Sequence, residues 1–194
     1  PALVRLWERI RRTEVRAWRG EHTRCYNWAA KGRSAQGAVW QQSVRNEAAA
    51  FHGHASLSNL LDLVKAYELV PLENVWRAGL KMHFPVEILR LELEAFAAAR
   101  TVLIDGACAA PVETWSAIVA GGSFATDGLM MVLVGPCDEI LLEHPRREPC
   151  TLTLTTYADD MVLNVTGPEN EAVAEIADAT RSALAKLEGA LSME

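Results

Sequence analysis

The chain has 194 residues, of which 50% are hydrophobic and 23% charged. This excludes a disordered polyelectrolyte and allows one domain with a sizeable core, or a domain plus a small extension. No apolar run is long enough to span a bilayer, so no membrane partner is expected, and no basic stretch followed by an apolar one marks a signal peptide.

The net charge of −6 argues against a plain nucleic-acid binder, but it is unevenly spread. Residues 1–49 hold ten Arg or Lys against four Glu, and residues 50–194 hold nine against 21 Asp or Glu. A basic arm beside an acidic body can grip a polyanion with one part and collect metal with the other. The plainer alternative is a solvated helical surface. Cys25, Cys108, Cys137 and Cys150 have no CxxC spacing. A structural zinc site is therefore not expected, and reduced thiols in an intracellular setting are. The opening at Pro1 without Met reads as a fragment or an excised domain.

In chain order, residues 2–19 carry Leu3, Leu6, Trp7, Ile10, Val15 and Trp18 among arginines. This predicts an amphipathic helix with a break near Arg12 and an end at Gly20. Ser34 is a candidate N-cap for a helix through Ala38, Trp40, Val44 and Ala48. A strand is expected to end near Asp62, with a turn or short helix after it. Pro71 and Pro85 each open a helix. Short strands are expected at residues 101–104 and 115–119, and the run after Ser123 is read as a helix. Residues 151–157 and 161–165, rich in Thr, Val and Leu, suit two strands around a turn. The last helix runs from Glu169 to Leu191, with Val173, Ile176, Ala177, Leu184, Leu187 and Leu191 as its apolar side. The order predicts an α+β fold: an antiparallel sheet covered by helices on one face, after a helical N-terminal extension.

Two adjacent carboxylates, Asp159 and Asp160, fall on the tip between two strands, and Asp62 falls at the end of another. Neighbouring strand residues point to opposite faces, so one of the pair can face the same site as Asp62 while the other lies at the rim. Gathered carboxylates repel each other, and a hard divalent cation relieves that repulsion. Two such ions can serve a phosphoryl transfer without a His, Cys or Ser nucleophile. A solvated hairpin turn is the plain alternative.

The run TYADDMV resembles the Tyr-x-Asp-Asp signature of reverse transcriptases, and NLLDLVKAYELVP (Asn59 to Pro71) resembles the other palm motif of that family. FPVEILRLELEAFAAARTVLIDG resembles the helix and strand between those motifs. VAGGSFATDGLMMVLV stands where the family places its glycine turn and template-side helix. The run is most similar to reverse transcriptases of non-LTR (LINE-type) retroelements, over about residues 30–190. The resemblance implies a palm-like sheet at 51–194, a basic fingers-like segment at 1–50, and no thumb. It implies Asp62, Asp159 and Asp160 as catalytic carboxylates and metal ligands, Asp160 in the outer role, with the Leu63 carbonyl as a further metal oxygen. It implies Tyr67 beneath the incoming sugar, Tyr157, Gly121 and Gly122 beside the nucleotide, and Arg33, Lys65 and Ser123 near template or phosphate. Two Mg²⁺ or Mn²⁺ ions, a template-primer of RNA or DNA, and deoxynucleoside triphosphates are the implied cofactors and partners. The missing fingers and thumb would belong to a larger polyprotein in the nucleus or cytoplasm. Glu68 stands where the family usually has Asp, and the glycine turn lacks the usual Pro–Gln pair. These departures keep open a silent retroelement-derived interaction module, alongside an unrelated two-metal phosphoryl-transfer enzyme.

Overall fold

The computed structural model describes residues 2–119, 122–145 and 148–191. The chain is mixed α+β and divides into two compact units. One comprises the first helix with Lys65–Val132; the other comprises Thr23–Val64 and Leu133–Ala190. The basic first 50 residues are therefore shared between units.

In the first unit, helix α1 (Ala2–His22) is unbroken through Arg12 and Gly20. The expected break and the expected end do not occur, because one continuous face of α1 is used throughout its length. Trp7, Glu8, Val15, Trp18 and Arg19 lie on that face at helical spacing. Val15 and Trp18 are buried, the Trp18 indole donates to the Met82 carbonyl at 2.9 Å, and its ring meets Phe84 edge-on. Leu3, Leu6 and Ile10, expected on the apolar side, are exposed instead, while Glu8 is buried.

Past the short helix α3 (Ala66–Leu69), Pro71 caps α4 (Leu72–Lys81) and Pro85 caps α5 (Val86–Ala97). Each Pro places its missing N–H where no intrahelical partner exists. Gly79 of α4 lets α5 approach, since a Cβ there would meet Leu89 at 2.5 Å. Residues 101–119 form a small hairpin, β2 (Leu103–Ile104) and β3 (Ala107–Cys108), and no strand at 115–119; Ser116 makes only an isolated bridge to Pro71. The hairpin turns on Asp105 and Gly106, both at left-handed φ, which is the type I′ geometry that Asp-Gly favours.

The long helix α6 (Ala125–Glu143) belongs to both units, which divide between Val132 and Leu133. Pro136 lies inside α6 and leaves the Val132 carbonyl without its intrahelical donor.

The second unit is built on one antiparallel sheet of β1 (Ala55–Asp62), β4 (Thr151–Tyr157) and β5 (Asp160–Gly167), in the order β1-β5-β4. One face carries Leu152, Leu154, Met161, Leu163 and Val165, all buried; burial of each such side chain contributes about 1.5–3 kcal/mol. Helix α7 (Glu169–Leu191) lies on this side, with Asn59 donating to Thr180 at 2.6 Å. Its buried face is Ala172, Ile176, Ala179, Ala183 and Leu187, while Val173 and Leu184 are largely exposed. Ile176, Leu187 and Leu191 are buried as expected, but small alanines take the places expected for Val173 and Leu184.

The other face of the sheet is not bare. Ser56 donates to Asn46 of α2 (Ala35–Phe51) at 2.8 Å, and buried Asn164 donates to Ser56, Ser58 and the Leu57 carbonyl. Helices thus approach both faces, not one as expected, since this polar layer needs α2 to shield it. Ser34 caps α2 by accepting the Gly37 N–H at 3.1 Å, as expected. Residues 26–28 run along the free edge of β4, exchanging backbone hydrogen bonds with Thr156 at 2.8 and 2.9 Å.

Candidate functional site

The register of β1 and β5 decides which carboxylates meet. Asp62, the last residue of β1, stands directly opposite Asp160, the first of β5. Residues directly opposite on an antiparallel pair share one face, with Cβ atoms about 4.5–5.5 Å apart. Tyr157 is the partner of Asp160 on its other side, so Asp62, Asp160 and Tyr157 form one cross-strand row at the end of the sheet. Asp62, Asp160 and Tyr157 are exposed, as is Leu60 one step along the same face at 79%. The row therefore opens to solvent at the end of the sheet away from the Ser56–Asn46 contact.

Asp159 lies in the two-residue turn Ala158–Asp159. Ala158 has a left-handed φ of 56° and Asp159 does not, the pattern of a type II′ hairpin, whose first position prefers Gly. An L side chain in that conformation costs about 1–2 kcal/mol. Replacing Ala158 with Gly is accordingly expected to raise stability by about 0.5–1 kcal/mol, read as a higher urea midpoint with unchanged slope.

Among the described residues no group of three or more His, Cys, Asp or Glu side chains converges so as to hold a metal ion. Magnesium is commonly held by one or two carboxylates with substrate phosphates and water completing its shell. The opposed pair Asp62 and Asp160 fits such a partial site in number and in oxygen chemistry. The residue across from Asp62 is Asp160, to which the resemblance gives the outer role, and not Asp159, which lies in the turn. Leu63, the next residue after Asp62, is buried. Neither a family model nor a curated protein matches this chain.

The remaining expected site residues are held in other ways. Arg33 uses one nitrogen, Nη1, to donate to the carbonyls of Arg24, Cys25 and Asn27 at 2.6–2.9 Å, and its guanidinium lies 5.9 Å from the Trp28 ring centroid. It ties together the loop that feeds residues 26–28 to the sheet edge. Arg33→Ala is expected to cost about 1–2 kcal/mol, and Arg33→Lys to recover only part of it, because a compact ammonium loses the contact of the planar guanidinium with the Trp28 ring; chemical denaturation of the three proteins checks this. Arg33 therefore serves the loop, and its expected phosphate contact has to compete with three carbonyls.

Lys65, Tyr67, Gly122 and Ser123 belong to the first unit. Lys65 sits at a left-handed φ of 53° as the residue before α3. Tyr67 is half-buried, and its carbonyl accepts the Ile118 N–H at 2.7 Å. Ser123 donates its hydroxyl to Glu8 at 2.7 Å. A Cβ on Gly122 would stand 3.6 Å from an oxygen of Glu8 and 3.6 Å from one of Glu92. The glycine turn is thus lined by carboxylates, which repel phosphate. Gly121 lies outside the described residues.

Two acidic residues of α6 are paired within the second unit, Asp138 half-buried and Glu139 exposed. Asp138 accepts from Tyr26 at 2.8 Å and from the Arg24 guanidinium at 2.9 Å, and Glu139 pairs with Lys186 at 3.3 Å. Burial, with the Asp138 charge nearby, drives the Tyr26 phenol well above its usual range. These contacts are local to the second unit, and their signal in the sequence is only the i, i+2 pair Arg24 and Tyr26.

Proposed function

We propose that the second unit presents the carboxylate face of a palm-type nucleotidyltransferase of the reverse-transcriptase kind, adding deoxynucleotides to a primer 3′-hydroxyl. The carrying observation is that Asp62 and Asp160, 98 residues apart, are directly opposed in register at an open sheet end, with Asp159 in the adjoining turn. A fold has little reason to oppose like charges there, since such a pair is destabilising by itself. In this reading Asp62 and Asp160 offer hard oxygen donors, with Asp159 next to Asp160 in the turn, and the Leu63 carbonyl is a further candidate. Bound Mg²⁺ or Mn²⁺ would supply neutralisation of the transferring phosphoryl group and activation of the attacking hydroxyl. Tyr157, 40% exposed beside Asp160, offers a flat surface against which a sugar or base can rest. Arg33 and Lys65 carry positive charge on the segments that lead toward and away from β1. The sheet is then the palm.

The test is primer extension by the full chain on RNA and DNA templates with Mg²⁺ or Mn²⁺, set against Asp159→Ala and Asp62→Asn. Extension that needs metal, template and both carboxylates supports the reading. Nucleic-acid hydrolysis without nucleotides would point to the unrelated two-metal enzyme instead. A second reading, a catalytically silent interaction module, is favoured by one observation: the Gly122–Ser123 turn lies against the buried carboxyl groups of Glu8 and Glu92. Metal binding at Asp62 without any extension would favour that reading.

A further inference from the structure

Three carboxylates are buried together in the first unit. Glu8 of α1, Glu92 of α5 and Asp127 of α6 are exposed by 3%, 4% and 3%. Among the described residues one cation answers them: the Arg19 guanidinium forks onto both oxygens of Asp127. Ser123 gives its hydroxyl to Glu8 Oε2, but neither oxygen of Glu92 receives a hydrogen bond from any N–H or hydroxyl of the described residues. Glu8 Oε1 and Glu92 Oε1 converge on the bare α-carbon of Gly122, each 3.6 Å from where a Cβ would stand. Two carboxylates buried side by side, with no donor for one of them, cannot both be ionised.

We propose that Glu8 and Glu92 share one proton across the Gly122 turn, and that this proton fastens α1 to α5, making the seating of α1 dependent on pH. The proton supplies the missing donor: the Glu92 carboxyl gives its O–H to Glu8, which also accepts from Ser123. Burial first, then the Glu8 charge, push the Glu92 carboxyl up to about 8, so the pair keeps its proton at neutral pH. The groups facing it are Glu8 and Arg19 from α1, Asp127 from α6 and the Ser123 hydroxyl. Glu73 and Arg77 of α4 pair with each other at the surface. The shared proton does not depend on the polymerase reading, whose carboxylates Asp62, Asp159 and Asp160 lie in the second unit.

The sign follows from linkage. The folded-state value lies above the ordinary 4.5 of a free Glu, so the folded chain holds a proton that the unfolded chain releases. The contribution is present in full below about pH 4.5, is lost as pH rises to about 8, and stays lost above it. Asp127, which burial also raises, adds a slope of the same sign, so the decisive quantity is the difference from a Glu92→Gln variant. The side-chain amide of that variant keeps an N–H donor for Glu8 and does not titrate.

Three measurements on the full chain test this. Infrared difference spectra should show a protonated-carboxyl band at pH 7 that disappears by about pH 9. Thermal unfolding from about pH 5 to about pH 9 should show a steeper fall in the wild type than in Glu92→Gln. Amide exchange in α1, corrected for its intrinsic pH dependence, should quicken about tenfold between pH 7 and about pH 9 in the wild type only. Absence of the carboxyl band at pH 7 overturns the proposal, as do identical pH profiles for the two proteins. It is also overturned if Mg²⁺ or Ca²⁺ raises the wild-type Tm at pH 9 and not that of Glu92→Gln, since the occupant is then a cation. Should Glu92→Gln fail to fold, the wild-type band and its pH dependence decide alone.

Discussion

Asp62→Asn and Asp160→Asn are each expected to reduce metal-dependent primer extension at least about 100-fold while making the metal-free protein slightly more stable. The two effects have one cause. The side chains are paired across β1 and β5, and like charges directly opposite each other destabilise a strand pair by about 0.2–1 kcal/mol. Neutralising either member removes that repulsion and the same substitution removes a hard oxygen donor. The stability gain should shrink at high salt, because exposed charges are screened. Adding Mn²⁺ should stabilise the wild type by mass action and leave both Asn variants nearly unchanged. Thermal unfolding with and without metal reads both parts without requiring turnover. If Asp62→Asn lowers stability in the absence of metal and primer extension is unaffected, the opposed pair is a structural feature and the polymerase reading falls.

The second large effect is expected in the first unit, and it is asymmetric. Arg19 and Asp127 form a forked ion pair in which the Arg side chain keeps 40% of its surface in water and the Asp side chain only 4%. Removing one partner of a buried pair costs about 3–5 kcal/mol because the other is left as an uncompensated charge. For Arg19→Ala the survivor is buried Asp127, whose carboxyl is already raised by burial despite its partner. With part of the pair screened by solvent, the expected cost is about 2–4 kcal/mol. For Asp127→Asn the survivor is Arg19, which can turn to water, and the cost should be about 1–2 kcal/mol. Arg19→Ala should also become more stable relative to the wild type as pH falls, since Asp127 can then take a proton. Urea unfolding of both variants at about pH 5 and about pH 7.5 measures this. Equal costs for the two variants would show that the pair is solvated and not buried.

The sequence carried the second unit's elements and their order. The end of β1 at Asp62, the cap at Ser34, the strand pair around Ala158–Asp159 and the helix from Glu169 were all legible, because apolar periodicity, capping residues and Pro positions are local signals. The β2 strand falls within the expected 101–104, but its partner is β3 at Ala107–Cys108 and not 115–119, because the Asp105–Gly106 turn folds the chain back at once. Misplaced faces have a different origin. In α1 the larger apolar residues Leu3, Leu6 and Ile10 point out while Glu8 points in. Size and hydropathy rank residues by their cost in water, and that ranking fails where a buried acid finds partners on other helices.

By itself, the sequence determined that Asp62 ends one strand and that Asp159 and Asp160 sit on a hairpin, since these follow from neighbours a few residues away. Only the tertiary structure decided that Asp160, and not Asp159, faces Asp62. Strand register has a side-chain period of two, so a slip of one residue sends every side chain to the other face, and no local pattern fixes that slip for segments 98 residues apart. The burial of Glu8, Glu92 and Asp127 around the Gly122 turn was likewise beyond the sequence. It depends on three helices meeting, and an acid alone in a helical pattern carries no mark of the company it will keep.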